Sequence, residues 1–210
     1  MWVNVMKNKK EKIVTICFIV AFLILIIPVI VKFCIDLKSV TSDRKEEISR
    51  IDFYGYSLSK SDTKITKDVY KELDSVLSAD VVDYDMYATL ISKLFLIDLF
   101  NLDNKLSSTD IGGTMYLHSG IIDNFRENMG ATLYNHVKSN IDGKRTQKLP
   151  IVKDVIVNNV TPIKYKYNDV EYDGYTTSCN IVYEEDLGYQ SSVDLTLIKD
   201  DKILYIVKGE

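Results

Sequence analysis

Cysteine and proline are scarce in this chain, with three residues of each. Cys17 and Cys34 lie in or beside a long apolar run, which leaves Cys179 alone in the rest of the sequence, so no internal disulfide can form there. A domain of about 150 residues buries most of its surface without such a cross-link. Because Cys179 alternates with polar neighbours on a strand, we expect it to be a buried, inert thiol.

Histidine is equally scarce, and metal-binding and catalytic motifs are absent. His118 and His136 are the two histidines, and on one helix they would lie about 27 Å apart, too far to share a metal ion. The acidic clusters Asp169–Asp173 and Glu184–Asp186 lack the spacing of a calcium loop and read as solvated turns. We therefore assign no catalytic, cofactor-binding or metal-binding residue, and we expect the protein not to be an enzyme.

The charge balance argues against nucleic acid as a partner. The formal net charge is −4, and acidic residues outnumber basic ones after residue 38. No basic stripe interleaved with aromatic residues is found in the sequence. Phosphate backbones would be repelled by such a surface, so the expected partners are proteins, the membrane or a second copy of the chain.

What the sequence does contain is a run of nineteen uncharged residues, Ile13–Val31. Such a run is long enough for a helix to cross a bilayer core of about 30 Å. The sequence therefore predicts a basic cytoplasmic tail (1–12), a transmembrane helix (13–34), a juxtamembrane stalk (35–65) and an extracytoplasmic domain (66–210). Four lysines crowded before the run favour a cytoplasmic N-terminus, although the excess of Lys and Arg on that side is small.

A cleaved signal peptide is the alternative to an anchor. Its apolar region would be shorter, about 7–15 residues, and would end at a site flanked by small residues. The segment Lys32–Asp36 offers no such site, and Phe33 before Cys34 does not fit a lipoprotein signal. These features favour an uncleaved anchor.

Beyond the stalk, apolar residues first recur with the period of a helix. The pattern predicts helices over about 66–78, 84–101 and 119–140. The second is apolar on nearly all sides and is expected to be a core helix, because it is too short and too interrupted by charges to cross a bilayer.

After Pro150 the period changes to two. Alternating residues at 163–167, 175–183 and 193–197 predict strands with one buried face, and 203–207 predicts a central strand. Short links at 184–188 and 199–202 predict that the last three strands form an antiparallel meander.

Helices first and an antiparallel sheet last make an α+β domain. The predicted fold is an N-terminal transmembrane helix and then a cone-like domain of about three helices packed on a curved four-stranded antiparallel sheet. This order resembles the nuclear-transport-factor-two-like fold, through the apolar helix 90–103 and the closing hairpin 197–207. With the anchor added, the chain is similar to VirB-type inner-membrane scaffold subunits of type IV secretion and conjugation systems.

Two functions follow as hypotheses. The first is a membrane-anchored extracytoplasmic interaction or assembly module of a bacterial envelope, as the resemblance implies. The second is a small-molecule-binding or isomerase-like cone whose pocket Asp98, Tyr87, Tyr165 and Tyr183 would line. Asp98 lies on the apolar side of its helix, where either a pocket role or a salt bridge to a cation such as Lys105 would explain it.

Overall fold

The structure, a computed structural model, describes residues 46–210. In this part of the chain the α-helices are α1 (Lys64–Leu77), α2 (Tyr84–Phe100) and α3 (Ile122–Ala131). The strands are β1 (Glu47–Ile51), β2 (Tyr56–Ser59), β3 (Val152–Tyr167), β4 (Val170–Tyr183), β5 (Ser192–Asp200) and β6 (Ile203–Gly209). Residues Glu47–Glu210 form one compact unit.

Helices α1 and α2 begin at polar side chains that cap them. The Thr63 hydroxyl accepts a hydrogen bond from the backbone N–H of Thr66, and the Asp83 carboxylate accepts from the backbone N–H groups of Asp85 and Met86. These bonds satisfy N–H groups that have no partner inside the helix. Helix α1 buries one face, whereas α2 is buried on most sides because it packs between α1 and strands β3 and β4.

The main sheet is an antiparallel meander in the order β3-β4-β5-β6, so the predicted meander of the last three strands is confirmed. The prediction of a central strand at 203–207 is wrong, because β6 lies at the edge of the sheet. Strands β3 and β4 are joined by a tight turn at Asn168 and Asp169, which both adopt positive φ angles. Such angles suit the right-handed twist of a two-residue hairpin. Strand β5 pairs with β4 only over Gly174–Asn180, so the end of the β3–β4 hairpin projects beyond the other two strands.

A second, two-stranded sheet lies where the sequence analysis placed the end of the stalk. Strands β1 and β2 pair in antiparallel fashion around a turn at Gly55, whose φ is +73°. Tyr56 and Leu58 alternate with serine and are 1% and 6% exposed, so the hairpin packs into the core of the domain. Residues 47–59 are thus part of the folded unit, while residues 35–45 lie outside the described part of the chain.

The predicted fold class is wrong in its first element, the transmembrane helix. Between residues 46 and 210, no helix has the length and apolar character needed to cross a membrane. The predicted tail and span, residues 1–34, lie outside the described residues. The corrected fold is an α+β domain with a β1–β2 hairpin, three helices and a four-stranded antiparallel sheet in residues 47–210.

The third helix is also shorter than the predicted range, 119–140. A 3₁₀ turn precedes α3, which ends at Ala131 just after Gly130. The chain then turns inward so that the fully buried Tyr134 donates a hydrogen bond to the Leu99 carbonyl at 2.8 Å. Its hydroxyl also accepts from the Gly112 N–H at 3.0 Å. These tertiary bonds outweigh the helical periodicity that continues to Val137.

A candidate binding cleft

Asp98 has a structural role. Its carboxylate lies 2.5 Å from the ammonium of Lys105, and its other oxygen accepts a hydrogen bond from the Gly113 N–H at 2.6 Å. Lys105 is 1% exposed. A buried ammonium requires such a partner, so the expected salt bridge to Lys105 is confirmed.

The tyrosines that were predicted to line a pocket with Asp98 do not converge. Tyr87 is fully buried beside Tyr56. Tyr165 lies opposite Tyr172 in the projecting part of the β3–β4 hairpin. Tyr183 lies at the other end of β4, where its hydroxyl donates to the Gln190 carbonyl at 2.7 Å. The predicted pocket is therefore not formed by these residues.

The histidines and the cysteine lie in separate surroundings. His118 caps a 3₁₀ turn, and its ring is 4.8 Å from that of Tyr167. His136 lies in the loop after α3 and lines a surface depression to which His118 does not contribute. Cys179 is 1% exposed, which confirms that it is buried, and this burial raises the pKa of its thiol. Within residues 46–210, no group of three or more His, Cys, Asp and Glu side chains is placed to hold a metal ion.

An apolar cleft of about 440 Å³ lies between helices α2 and α3 and the C-terminal half of the sheet. Helix α2 supplies the floor, α3 one wall, and β5 and β6 the other. The lining side chains are mostly large and apolar, namely Phe95, Leu99, Phe100, Leu117, Ile121, Phe125, Met129, Val193, Leu195, Ile206 and Val207. Most of these side chains are almost fully buried, and the exposed apolar surface of the cleft comes from four half-buried residues, Ile121, Phe125, Met129 and Val207.

The segment before α3 follows the outer edge of β6. Leu117 makes a parallel β-bridge with Ile206, and the N–H of His118 donates to the Ile206 carbonyl at 3.0 Å. After His118 the chain turns into a 3₁₀ turn and then into α3. The outer edge of β6 is therefore not covered by this segment beyond Ile206.

The rim of the cleft is polar but electrically balanced. Asn128 donates to the side-chain carbonyl of Asn124 at 2.9 Å, and Gln190 donates to the Ser192 carbonyl. Lys208 lies 2.7 Å from the Glu210 carboxylate, whose hydrogen bond raises the pKa of the ammonium. The rim thus presents neutral amides and a paired charge, which suits hydrogen bonding to an uncharged polar group.

Sequence reasoning placed several of the lining residues in the core but did not predict a cleft. Phe125 and Met129 lie in the third predicted helix, whose periodicity gives it an apolar stripe, and Leu195 lies in a strand predicted to have one buried face. Asn124, Asn128 and Gln190 were not singled out, since isolated amides in a helix or a loop carry no distinctive pattern. The usable signal was the apolar stripe of α3 combined with its two asparagines one turn apart.

Comparison of the chain with protein-family models, with curated proteins and with solved structures gives no match.

Proposed function

We propose that residues 47–210 form a non-enzymatic interaction module that binds an apolar group of a partner protein in the α2–α3 cleft. In this proposal the module is held at the outer face of a bacterial membrane by the uncharged run 13–31 and belongs to an envelope assembly. The resemblance to secretion and conjugation scaffold subunits suggests the kind of assembly. The cleft carries the proposal.

Three properties of the cleft support binding rather than chemistry. Its walls are apolar, and its volume lies within the range of about 300–1,000 Å³ typical of ligand sites. The charges at its rim, Lys208 and Glu210, pair with each other. An apolar cleft with a polar rim is an arrangement that proteins use to accept an apolar anchor.

The binding test uses a neutral, water-soluble probe, N-acetyl-tryptophanamide, and NMR of the methyl groups of the full chain. We expect the probe to shift the resonances of Val193, Leu195 and Ile206, which line the cleft, and not those of Ile156 and Val170, which are exposed elsewhere. Uniform small shifts in all five residues, or no shift, would contradict the proposal.

A matched pair of variants locates the binding site. Asn128→Trp places an indole at the mouth of the cleft, whereas Glu127→Trp places one on an exposed position of the same helix that does not line it. Asn128→Trp should abolish the shifts and Glu127→Trp should leave them unchanged. Equal binding by both variants would move the site away from the cleft.

A small molecule is the second candidate occupant, since the volume of the cleft suits one. A photoreactive benzoylphenylalanine at position 128, with position 127 as control, distinguishes the two in intact cells. A protein-sized adduct at 128 alone supports a protein partner. An adduct that changes the mass of the chain by only a few hundred daltons at 128 supports a small ligand.

The proposed placement has its own test. If the domain faces outward, protease added to cells without their wall should digest residues after about 39 and leave the N-terminal fragment. The domain is acidic, and moving its charges across a bilayer would cost several kcal/mol for each, so a single orientation is expected. Recovery of a protected domain would overturn the extracytoplasmic placement.

A further inference from the structure

The outer edge of β6 ends beside the cleft with backbone groups that point away from the sheet. Strand β6 is an edge of the four-stranded sheet. The segment Leu117–His118 covers this edge as far as Ile206. In the described part of the chain, no strand pairs with the outer side of β6 beyond that point, and Gly209 is exposed to solvent.

The register fixes which backbone groups face outward. Glu210 exchanges both of its backbone hydrogen bonds with Asp194, at 2.9 and 3.0 Å. Gly209, the preceding residue, pairs with Leu195. Because hydrogen-bonded and non-hydrogen-bonded pairs alternate in an antiparallel ladder, the N–H and C=O of Gly209 point to the side opposite β5. Both groups therefore lie at the mouth of the cleft.

We infer that the cleft binds an extended, uncharged peptide segment that adds to the end of β6. This inference rests on the proposed function and specifies how the partner is held. The segment would continue the line of the Leu117–His118 bridge, exchange hydrogen bonds with Gly209 and place an apolar side chain between α3 and β5. Backbone pairing supplies affinity in such strand addition, and the pocket selects the side chain.

The charges of the site favour a neutral peptide. Lys208 and Glu210 pair with each other, and in the register of the sheet they share a face with Thr196 and Asp194, opposite to the face of the cleft-lining Leu195. They therefore direct no charge into the cleft. The amides of Asn124, Asn128 and Gln190 can both donate and accept hydrogen bonds, as peptide groups require. An uncharged segment of alternating apolar and hydroxyl residues matches this surface.

The opposite edge of the sheet, β3, is a poor site for the same mode of binding. Its pairing with β4 is interrupted by two irregularities, at 152–154 and 157–159. Pro162 lacks an N–H, and Lys164 is paired with Asp173 across the hairpin. Bulges, proline and edge charges are features that prevent strand addition. In β6 the one register shift lies at Val207, the pairing with β5 is regular from Lys208 to Glu210, and the two charges beyond Val207, Lys208 and Glu210, pair with each other.

The test uses the full chain and the synthetic hexapeptide acetyl-Thr-Val-Thr-Leu-Thr-Val-amide. Two further peptides carry N-methyl groups on one or the other set of alternate residues. In strand addition only one set of N–H groups faces the protein, so one methylated peptide should bind about tenfold more weakly and the other about as well as the parent. Hydrogen exchange of the Gly209 amide should slow when the parent peptide binds.

The matched variants are Gly209→Pro and Gly209→Ala. Proline removes the N–H and is tolerated on a strand edge, while alanine keeps it and would make only an ordinary contact with Leu195. We expect Gly209→Pro to weaken peptide binding about two- to tenfold and Gly209→Ala to have no effect.

Each outcome separates this inference from the proposed function. If N-acetyl-tryptophanamide shifts the cleft methyls but both N-methylated peptides bind alike, the cleft takes a side chain without strand addition and the inference fails alone. The same conclusion follows if the hexapeptide does not bind while the amide does. If neither probe perturbs the cleft, the proposed function fails as well.

Discussion

The hydroxyl oxygens of Tyr56 and Tyr87 lie 2.6 Å apart in the core of the domain. Tyr56 donates to the Leu204 carbonyl at 3.1 Å, and the Leu204 N–H donates to Tyr87 at 3.2 Å. Because the proton of Tyr56 is used in the first bond, Tyr87 must donate to Tyr56. The three bonds form a closed ring that joins β2, α2 and the start of β6.

Removing either hydroxyl should destabilise the domain through this ring. We expect Tyr56→Phe and Tyr87→Phe each to lower the free energy of unfolding by about 1–3 kcal/mol, because polar groups of a buried network lose partners. The double variant should lose less than the sum of the two, which urea unfolding in a double-mutant cycle would measure. Tyr54→Phe, at the half-buried neighbour of both rings, is the control and should have little effect. Strictly additive losses would contradict the closed ring.

Raising the pH above about 10 should lower the free energy of unfolding, because several tyrosines are buried in their neutral form. Burial raises the pKa values of Tyr56, Tyr87 and Tyr116. An unfolded tyrosine ionises near pH 10, so above that pH the unfolded state loses protons that the native state keeps. Stability should therefore be unaffected by these groups below about pH 10 and fall as pH rises above it.

The measurement is the urea midpoint between pH 8 and pH 12, with tyrosinate absorbance recorded in parallel. We expect the decline above pH 10 to be less steep in the Tyr56→Phe, Tyr87→Phe double variant, which lacks two of the buried groups. An unchanged slope in that variant would show that other groups drive the alkaline transition.

Two ion pairs with the same nitrogen–oxygen distance should differ greatly in their effect on stability. Asp98–Lys105 and Lys64–Asp68 are both separated by 2.5 Å, but Lys105 is 1% exposed and Lys64 is 91% exposed. Asp98→Asn leaves a buried ammonium without its counter-charge, and we expect a loss of about 3–5 kcal/mol in the free energy of unfolding. Asp68→Asn should cause no measurable loss, since exposed pairs are screened by water. Equal losses in chemical unfolding would contradict this role of burial.

The helical part of the fold could be predicted because its signals are local. The buried face of α1 follows from the spacing of Val69, Tyr70 and Leu73, and α2 begins at the N-cap Asp83. The salt bridge of Asp98 was also foreseeable, since a carboxylate on an apolar helix face needs a partner.

The first half of β3 could not be predicted because its alternation is broken. Val152 and Val155 are both buried although they are three residues apart, since the register shifts between them. A second shift lies between Val157 and Asn159. Period-two patterning fails across such irregularities.

The hairpin β1–β2 and the cleft depend on contacts distant in sequence. Tyr56 is held by a hydrogen bond to the carbonyl of Leu204, which is 148 residues away along the chain. The cleft lies where the chain leaves the edge of β6 after His118, and the chain turns inward after α3 to bury Tyr134. Neither event has a signature within a sequence window.

Gly174 occupies a row of cross-strand neighbours with Ile163, Ile198 and Tyr205. A Cβ atom at this position would overlap the carbonyl oxygen of Leu197, a backbone atom that can move only if β4 and β5 separate. We expect Gly174→Ala to lower the free energy of unfolding by about 1–3 kcal/mol, as overpacking does. Gly130→Ala is the control, because a Cβ in α3 would make only an ordinary contact with Ile111, at 3.6 Å, and alanine stabilises a helix by about 0.5–1 kcal/mol relative to glycine. The midpoint of urea unfolding should therefore fall in Gly174→Ala and rise in Gly130→Ala. A stability gain in Gly174→Ala would mean that β4 and β5 do not approach each other as closely as this row requires.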